Sequence, residues 1–388
     1  MPEKLIIEDY THHSGHHCWT TSLKNAFAFH GIDLSEEMFF GLQAGAGFMY
    51  WYMKMMLSPF IGTRTGKTES LIKVCERIGG GATLFETSSA KRGYDELKKI
   101  LRDGEPAFVF TDMALLPYLA LPGEAHFGAH SIIVYGIDEE KDIVYVSDAA
   151  RKPLMITIDD LNKARNSKHP PYAPKNKLLK IKYPPKIKNL NAGIIEAIKE
   201  CCDNYLDPPI SNMGYKGIMK WADLVMDWPK QFRGLHLFGC LMSTYIYIEE
   251  SGSNGGGYRN TYAQFLKEAS EIIQKPELND IAKLFEEVAE YWSNLALSSL
   301  PDSWPTLKKF RELAKEKNKI FEELPTGALK KMQEIMEESD KVMREAAKEL
   351  DSAKKADIDA LMKGIKDNIL IVYEKDKLAF EKLKEIVG

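Results

Sequence analysis

The period of the apolar positions changes several times along the first 185 residues. In CWTTSLKNAFAF, Cys18 to Phe29, Trp19, Leu23, Ala26 and Phe27 share one helical face and Gly31 follows as a stop, so the spacing predicts a helix. DLSEEMFFGL predicts a second, short helix, with Asp33 and Glu36 at the spacing of a capping box. A third helix is expected in TESLIKVCERIGG, then a strand in GATLFET, a helix in YDELKKILRDG and a strand in PAFVFTD. Residues 130–148, HSIIVYGIDEEKDIVYVSD, hold two β-branched runs around a polar turn and predict a β-hairpin. With Asp138 to Glu140 as its loop, Ile137 faces Lys141 and His130 falls opposite Asp148. KPLMITIDDLNKAR adds a strand and a helix start, and KNKLLKIKYP a further strand.

Tyr183-Pro184-Pro185 opens a linker-like stretch, and beyond it the strand period fades. GIIEAIKECCDNYL, KGIMKWADLVMDW and TYAQFLKEASEIIQ are spaced as helices, and from Leu307 onward the chain is a Lys/Glu-rich series of amphipathic helices with solvated faces. The expected architecture is α+β: one mixed domain over residues 1–185, then an all-helical cap or interaction domain over 186–388. The most membrane-like stretch, AGAGFMYWYMKMMLSPFIG near residues 44–62, is interrupted by Lys54 and too short and Gly-rich to span a bilayer. It is expected to be a buried loop and helix, so no membrane role is expected.

An apolar fraction of 44% and an aromatic fraction of 10% exclude a disordered chain. A formal net charge of -4 gives no basic field for nucleic acid. Cysteines number 5, an odd count over 388 residues, which argues against a disulfide framework and for a reducing, cytoplasmic setting. The opening MPEKLIIEDY lacks the basic and apolar regions of a signal peptide.

The chemistry concentrates in THHSGHHCW, where His12, His13, His16 and His17 crowd Cys18. Zinc sites draw paired ligands from two separate segments, and no second pair is present, so no metal is expected. GTRTGKT, Gly62 to Thr68, is one residue short of a phosphate loop and is expected to be a turn into the helix at Glu69. A cysteine in the first turn of a helix lies where the macrodipole stabilises a thiolate. With His130 as base and Asp148 orienting it, Cys18 has the partners a nucleophile needs. The same residues also fit an inert thiol, core histidines at 126 and 130, and an ordinary turn aspartate.

HCWTTSLKNAFAFHGIDLSEEMFFGLQAGAGFMYWY resembles the opening of the butirosin biosynthesis protein H N-terminal family, with its His-Cys pair at a helix start, its G-I-x-L-S-E-E segment and its glycine-rich G-L-x-x-G-x-G-F stretch. FTDMALLPYLALPGEAHFGAHSIIVYGID and VYVSDAARKPLMITIDDLNKAR resemble its later blocks, over residues 12 to 183 in all. WADLVMDWP and SGSNGGGYRNTYAQFLKEAS resemble the helical domain of unknown function that follows it. The resemblance implies a papain-like fold and a thiol acyltransferase, with Cys18 the nucleophile, His130 the base and Asp148 the orienter.

Where papain-like peptidases carry an oxyanion glutamine, this chain has HHSGHH, so His12 or His13 is the candidate donor beside the Cys18 backbone N–H. Asp112 and Tyr118 are secondary candidates for binding an amine. Arg259, in the GSNGGGYR loop Gly252 to Arg259, is a candidate for the phosphate of a phosphopantetheine thioester; the loop also reads as a glycine-rich turn between helices. The implied partners are an acyl carrier protein, a small-molecule amine and further copies of the chain, with no resident cofactor. A cysteine amidohydrolase or peptidase, and a non-enzymatic binding protein on the same fold, are the alternatives.

Overall fold

A computed structural model describes residues 2–54, 56–123, 125–170 and 172–388. In chain order it comprises β1 (Lys4–Ile6), α1 (Cys18–Phe29), α2 (Glu36–Leu42), β2 (Ala46–Trp51), β3 (Phe60–Arg64), α3 (Glu69–Arg77), β4 (Gly81–Phe85), α4 (Ala90–Arg102) and β5 (Ala107–Thr111). Then come β6 (His130–Asp138), β7 (Ile143–Ser147), β8 (Leu154–Ile156), α5 (Ile158–Asn166) and β9 (Leu178–Lys182). Only helices follow: α6 (Leu190–Leu206), α7 (Gly214–Leu224), α8 (Trp228–Gln231), α9 (Leu235–Tyr245), α10 (Arg259–Ile272), α11 (Leu278–Ser299), α12 (Pro305–Glu323), α13 (Ala328–Ser352) and α14 (Lys355–Val387). The α+β class is as expected, and among the described residues no helix is long and apolar enough to cross a membrane.

The chain forms two compact units, and neither is one continuous stretch. The first takes residues 1–39, 71–189 and 317–336, and the second takes 40–70, 190–316 and 337–388. A single cut at 185/186 therefore misses two excursions. The earlier one is the stretch expected to be a buried loop and helix. Its described part instead forms the antiparallel β2–β3 pair, which belongs to the helical unit because Tyr50 N–H donates to Asn212 C=O at 2.9 Å and Met49 bridges Met213. The aromatic-rich run AGFMYW suits a strand, and several apolar side chains of the stretch stay in solvent, Leu57 at 71% exposure. Met55 lies outside the described residues. The later excursion is the end of α12 and the start of α13.

In the first unit an antiparallel sheet runs β4-β9-β5-β6-β7-β8, and β1 pairs with the second half of β6. One face carries Ala107, Val109, Ile132, Val134, Val144, Val146 and Leu178 against Leu97 and Leu101 of α4 and Leu161 and Ala164 of α5. α1 packs on the opposite face, where Trp19 meets Phe110 edge-on and Ser22 Oγ lies 3.0 Å from Ser131 Oγ.

The hairpin register differs from the expected one. Asp138 pairs with Ile143, so the loop is Glu139 to Asp142, and Tyr135 is an extra residue between the pairs Gly136–Tyr145 and Val134–Val146. Beyond that bulge Ile133 pairs with Ser147, and continuing the ladder sets Asp148 opposite Ile132, which shares a face with His130. Without the bulge Asp148 would fall opposite Ile133, on the wrong face. The Tyr135 ring stacks on Tyr10 at 4.4 Å, and its carbonyl accepts from Ile7 N–H at 3.0 Å. His130 and Asp148 are thus diagonal rather than directly opposed neighbours, still within reach of each other's side chains.

Candidate functional site

Cys18 is the first residue of α1, as the spacing predicts. Two side chains anchor this helix start around His130: Trp19 Nε1 donates to Ala129 C=O at 2.7 Å, and Ser131 Oγ donates to Cys18 C=O at 3.0 Å. The approach to the helix is organised by Glu36, which its spacing from Asp33 assigns to a capping box on α2. Ser35 performs that cap, its Oγ accepting from Met38 N–H at 2.9 Å. The buried Glu36 carboxylate instead accepts from His16 N–H at 2.9 Å, His17 N–H at 2.7 Å and Thr20 Oγ1 at 2.9 Å. Gly15 lets this happen, since a Cβ there would sit 2.5 Å from Glu36 Oε2. The available signal was indirect: a helix start leaves N–H groups in need of acceptors, and Glu36 is an acid close to a turn.

His130 Nε2 lies 2.8 Å from Asp148 Oδ2, both residues buried, and the imidazole also hydrogen-bonds the Cys18 side chain. Nε2 is engaged by the acid, so Nδ1 serves the thiol. Burial works against the imidazolium, but the charges of Asp148 and Cys18 and their hydrogen bonds outweigh it and push His130 up to about 10. Burial likewise opposes the carboxylate of Asp148, yet the His130 charge, with hydrogen bonds from His130, Ala149 N–H and Tyr118, holds it below the usual range. Of the five cysteines only Cys18 is not buried, and burial pushes Cys75 and Cys201 up to about 12. Such thiols are inert at neutral pH.

Most of the other expected site residues spend their polar groups on the protein itself. His12 Nε2 donates to Ala150 C=O at 2.8 Å, so Nδ1 accepts from Ser147 Oγ at 2.5 Å. No ring N–H remains for an oxyanion, and His12 stitches the loop before Cys18 to the strand end that carries Asp148. Gly15 adds a second stitch, its N–H donating to Ala149 C=O at 3.0 Å. His13 is held through its backbone, exchanging hydrogen bonds of 2.8 and 2.7 Å with the Asn25 side chain. Asp112 is buried and accepts from Ser167 Oγ at 2.6 Å, His126 Nδ1 at 2.8 Å and the N–H groups of Phe127 and Ala114, which leaves no lone pair aimed at an amine. Tyr118 donates to Asp148 Oδ2 at 2.8 Å and is a partner of the acid rather than of a substrate.

Arg259, in the second unit, is fully buried. Its guanidinium donates to Asp376 twice, to Thr63 C=O at 2.7 Å, to Gly257 C=O at 2.9 Å and to Gly47 C=O at 3.0 Å. All donors of the fork are spent, so it offers nothing to a phosphate. The loop before it is a glycine-rich turn: Gly255, Gly256 and Gly257 have positive φ, and Glu249 Oε1 accepts from Gly256 N–H at 3.1 Å. Among the described residues no group of three or more His, Cys, Asp or Glu converges as a metal site.

Residues 17–149 match the family described as butirosin biosynthesis protein H, N-terminal, and residues 159–324 match a domain of unknown function, DUF4872. No curated protein matches the chain. The first match ends one residue past Asp148, and the second takes in nearly all of α5, β9 and all of α12. By these two matches, residues 17–149 belong to the butirosin biosynthesis protein H N-terminal family, and DUF4872 follows at residues 159–324.

Proposed function

We propose that the protein is a cysteine-dependent acyltransferase of biosynthesis, passing an acyl group from a thioester to an amine. The observation that carries this reading is the His130–Asp148 pair at 2.8 Å, with the second imidazole nitrogen on the thiol that opens α1. The family match over residues 17–149 supports the acyl-transfer class.

In the first half-reaction the Cys18 thiolate attacks the thioester carbonyl, the donor's C–S bond breaks, and the departing thiol takes a proton from His130. The product is an acyl-enzyme. In the second, an amine attacks that acyl carbon while His130 accepts its proton; an amide forms and the Cys18 thiolate is released. The Cys18 backbone N–H at the helix start would receive the oxyanion, with His13 as the remaining histidine candidate beside it. A phosphopantetheine thioester on an acyl carrier protein fits the donor class, and a small-molecule amine the acceptor.

The test is intact-mass analysis after mixing with simple acyl thioesters. Acyl transfer requires an adduct on Cys18, absent in Cys18→Ala, that clears faster with added amine than in buffer alone. Clearance at the same rate with and without amine would make the protein a hydrolase. No adduct from any thioester or amide, and no preferential alkylation of Cys18, would leave a binding protein on this fold.

A further inference from the structure

Asp148 must keep its plane for His130 to keep its own. Its Oδ1 accepts from Ala149 N–H at 2.7 Å, while Oδ2 is shared by His130 and by the Tyr118 hydroxyl at 2.8 Å. Tyr118 sits on a short 3₁₀ turn, Pro117–Leu119, whose carbonyls and ring need a support of their own. That support comes from α12, far downstream in the chain. Lys317 Nζ donates to Leu119 C=O at 2.9 Å, and the Phe321 ring stacks on Tyr118 with centroids 6.5 Å apart and planes at 12°. One residue on, Glu322 C=O accepts from Arg151 N–H at 2.8 Å, just past the acid, and its carboxylate lies 3.8 Å from His16 Nδ1, just before the thiol. Asn318 Nδ2 braces that carboxylate at 3.3 Å. Lys317, Phe321 and Glu322 thus touch the chain beside Tyr118, beyond Asp148 and ahead of Cys18, all within the first unit.

We propose that Tyr118 and the end of α12, Lys317 to Glu322, are positioning residues of the Cys18 centre, clamping the orienting acid and so sustaining the thiolate–imidazolium pair. The inference rests on the reading of Cys18, His130 and Asp148 as one charge-coupled trio. It gives a role to the terminal part of the DUF4872 match, which ends at residue 324, one past the helix. The lysine suits that role because its ammonium is held by a carbonyl rather than by an acid. Burial lowers it to about 8, so near neutral pH it adds a cation on that side without competing for Asp148.

The experiment is the alkylation rate of Cys18 by iodoacetamide between about pH 4.5 and 9.5, read by peptide mass on folded full-length protein. In Tyr118→Phe and Phe321→Ala the onset of thiolate should move up by about one pH unit, which makes labelling roughly tenfold slower at pH values well below the wild-type midpoint and unchanged near pH 9. Lys317→Met should move it less, and Lys317→Arg should restore it, since the hydrogen bond to Leu119 is kept. Tyr118→Phe combined with Phe321→Ala should move it no further than either alone, because both act through one carboxylate. Lys319→Met, on the exposed side of the same helix, is the control. A merely structural role would lower melting temperature or labelled fraction and leave the midpoint in place. Wild-type midpoints in the Tyr118 and Phe321 variants, while Asp148→Asn shifts, would overturn the positioning role alone. A wild type whose Cys18 labels no faster than Cys75 in mild acid would overturn the trio itself, and this inference with it.

Discussion

Each unit of the molecule buries a cation–carboxylate pair, and each adds a tyrosine hydroxyl to the same carboxylate oxygen. In the first, His130 and Tyr118 share Asp148 Oδ2; in the second, Arg259 and Tyr205 share Asp376 Oδ2, the tyrosine at 2.7 Å. What differs is the far side of the cation. The Arg259 fork is closed on the carbonyls of Thr63, Gly257 and Gly47, so its charge is permanent and it holds a hairpin, a glycine turn and α14 together. His130 has only two nitrogens, and the second faces a thiol. Its proton can leave, so the same motif is titratable in one unit, as the proposed chemistry needs, and permanent architecture in the other.

The comparison can be broken first at its chemical end. Cys18→Ala should lose acyl transfer by a factor on the order of 10⁴ or more with little change in melting temperature; retained turnover would remove the contrast. Next, Arg259→Met leaves Asp376 as an uncompensated buried charge and should cost about 3–5 kcal/mol in denaturant unfolding. The alkylation rate of Cys18 in the molecules that remain folded should be unchanged. A smaller effect separates the two tyrosines. Tyr205→Phe should destabilise by about 1.5–3 kcal/mol, as for a hydrogen bond to a charged group, with the alkylation profile intact. Tyr118→Phe should instead shift that profile.

The last prediction uses pH. His130 is raised from 6.5 to about 10, so the stability it contributes is complete below about 6.5 and is lost as pH climbs through 10. Asp148 is held low, so its share is present above its ordinary 3.8 and is lost on acidification. The stability gap between wild type and Asp148→Asn, measured by denaturant unfolding, should therefore be widest at roughly pH 4–6.5 and close toward about pH 10. The Arg259–Asp376 pair should show no such alkaline loss below about pH 10, because a guanidinium does not titrate there.

The placement of Cys18 was legible because a helix start is a local event: Trp19, Leu23, Ala26 and Phe27 set the face, and Cys18 falls at its first turn. The partnership of His130 with Asp148 was legible as a pairing of strands but not in its register, since nothing in YGIDEEKD announces a bulge at Tyr135. Arg259 and Asp112 read as ligand binders because a polar residue in a loop looks the same whether its partners are substrate or distant backbone. Only the fold brings Thr63, Gly47 and Asp376 to Arg259, or Ser167 and His126 to Asp112. The β2–β3 pair escaped because an apolar run without clear alternation does not say which unit it will join.

The bulge at Tyr135 also governs which length changes the gene can tolerate. The strands are held in phase by their own ladder, so residues added to or removed from the turn Glu139–Asp142 leave His130 and Asp148 where they are. A single codon lost between His130 and Gly136 would turn Asp148 to the other side of the sheet and part it from His130, though the deletion touches neither residue. Parity along β6, rather than the count of residues from histidine to acid, is what an insertion-and-deletion scan of this hairpin should find under constraint.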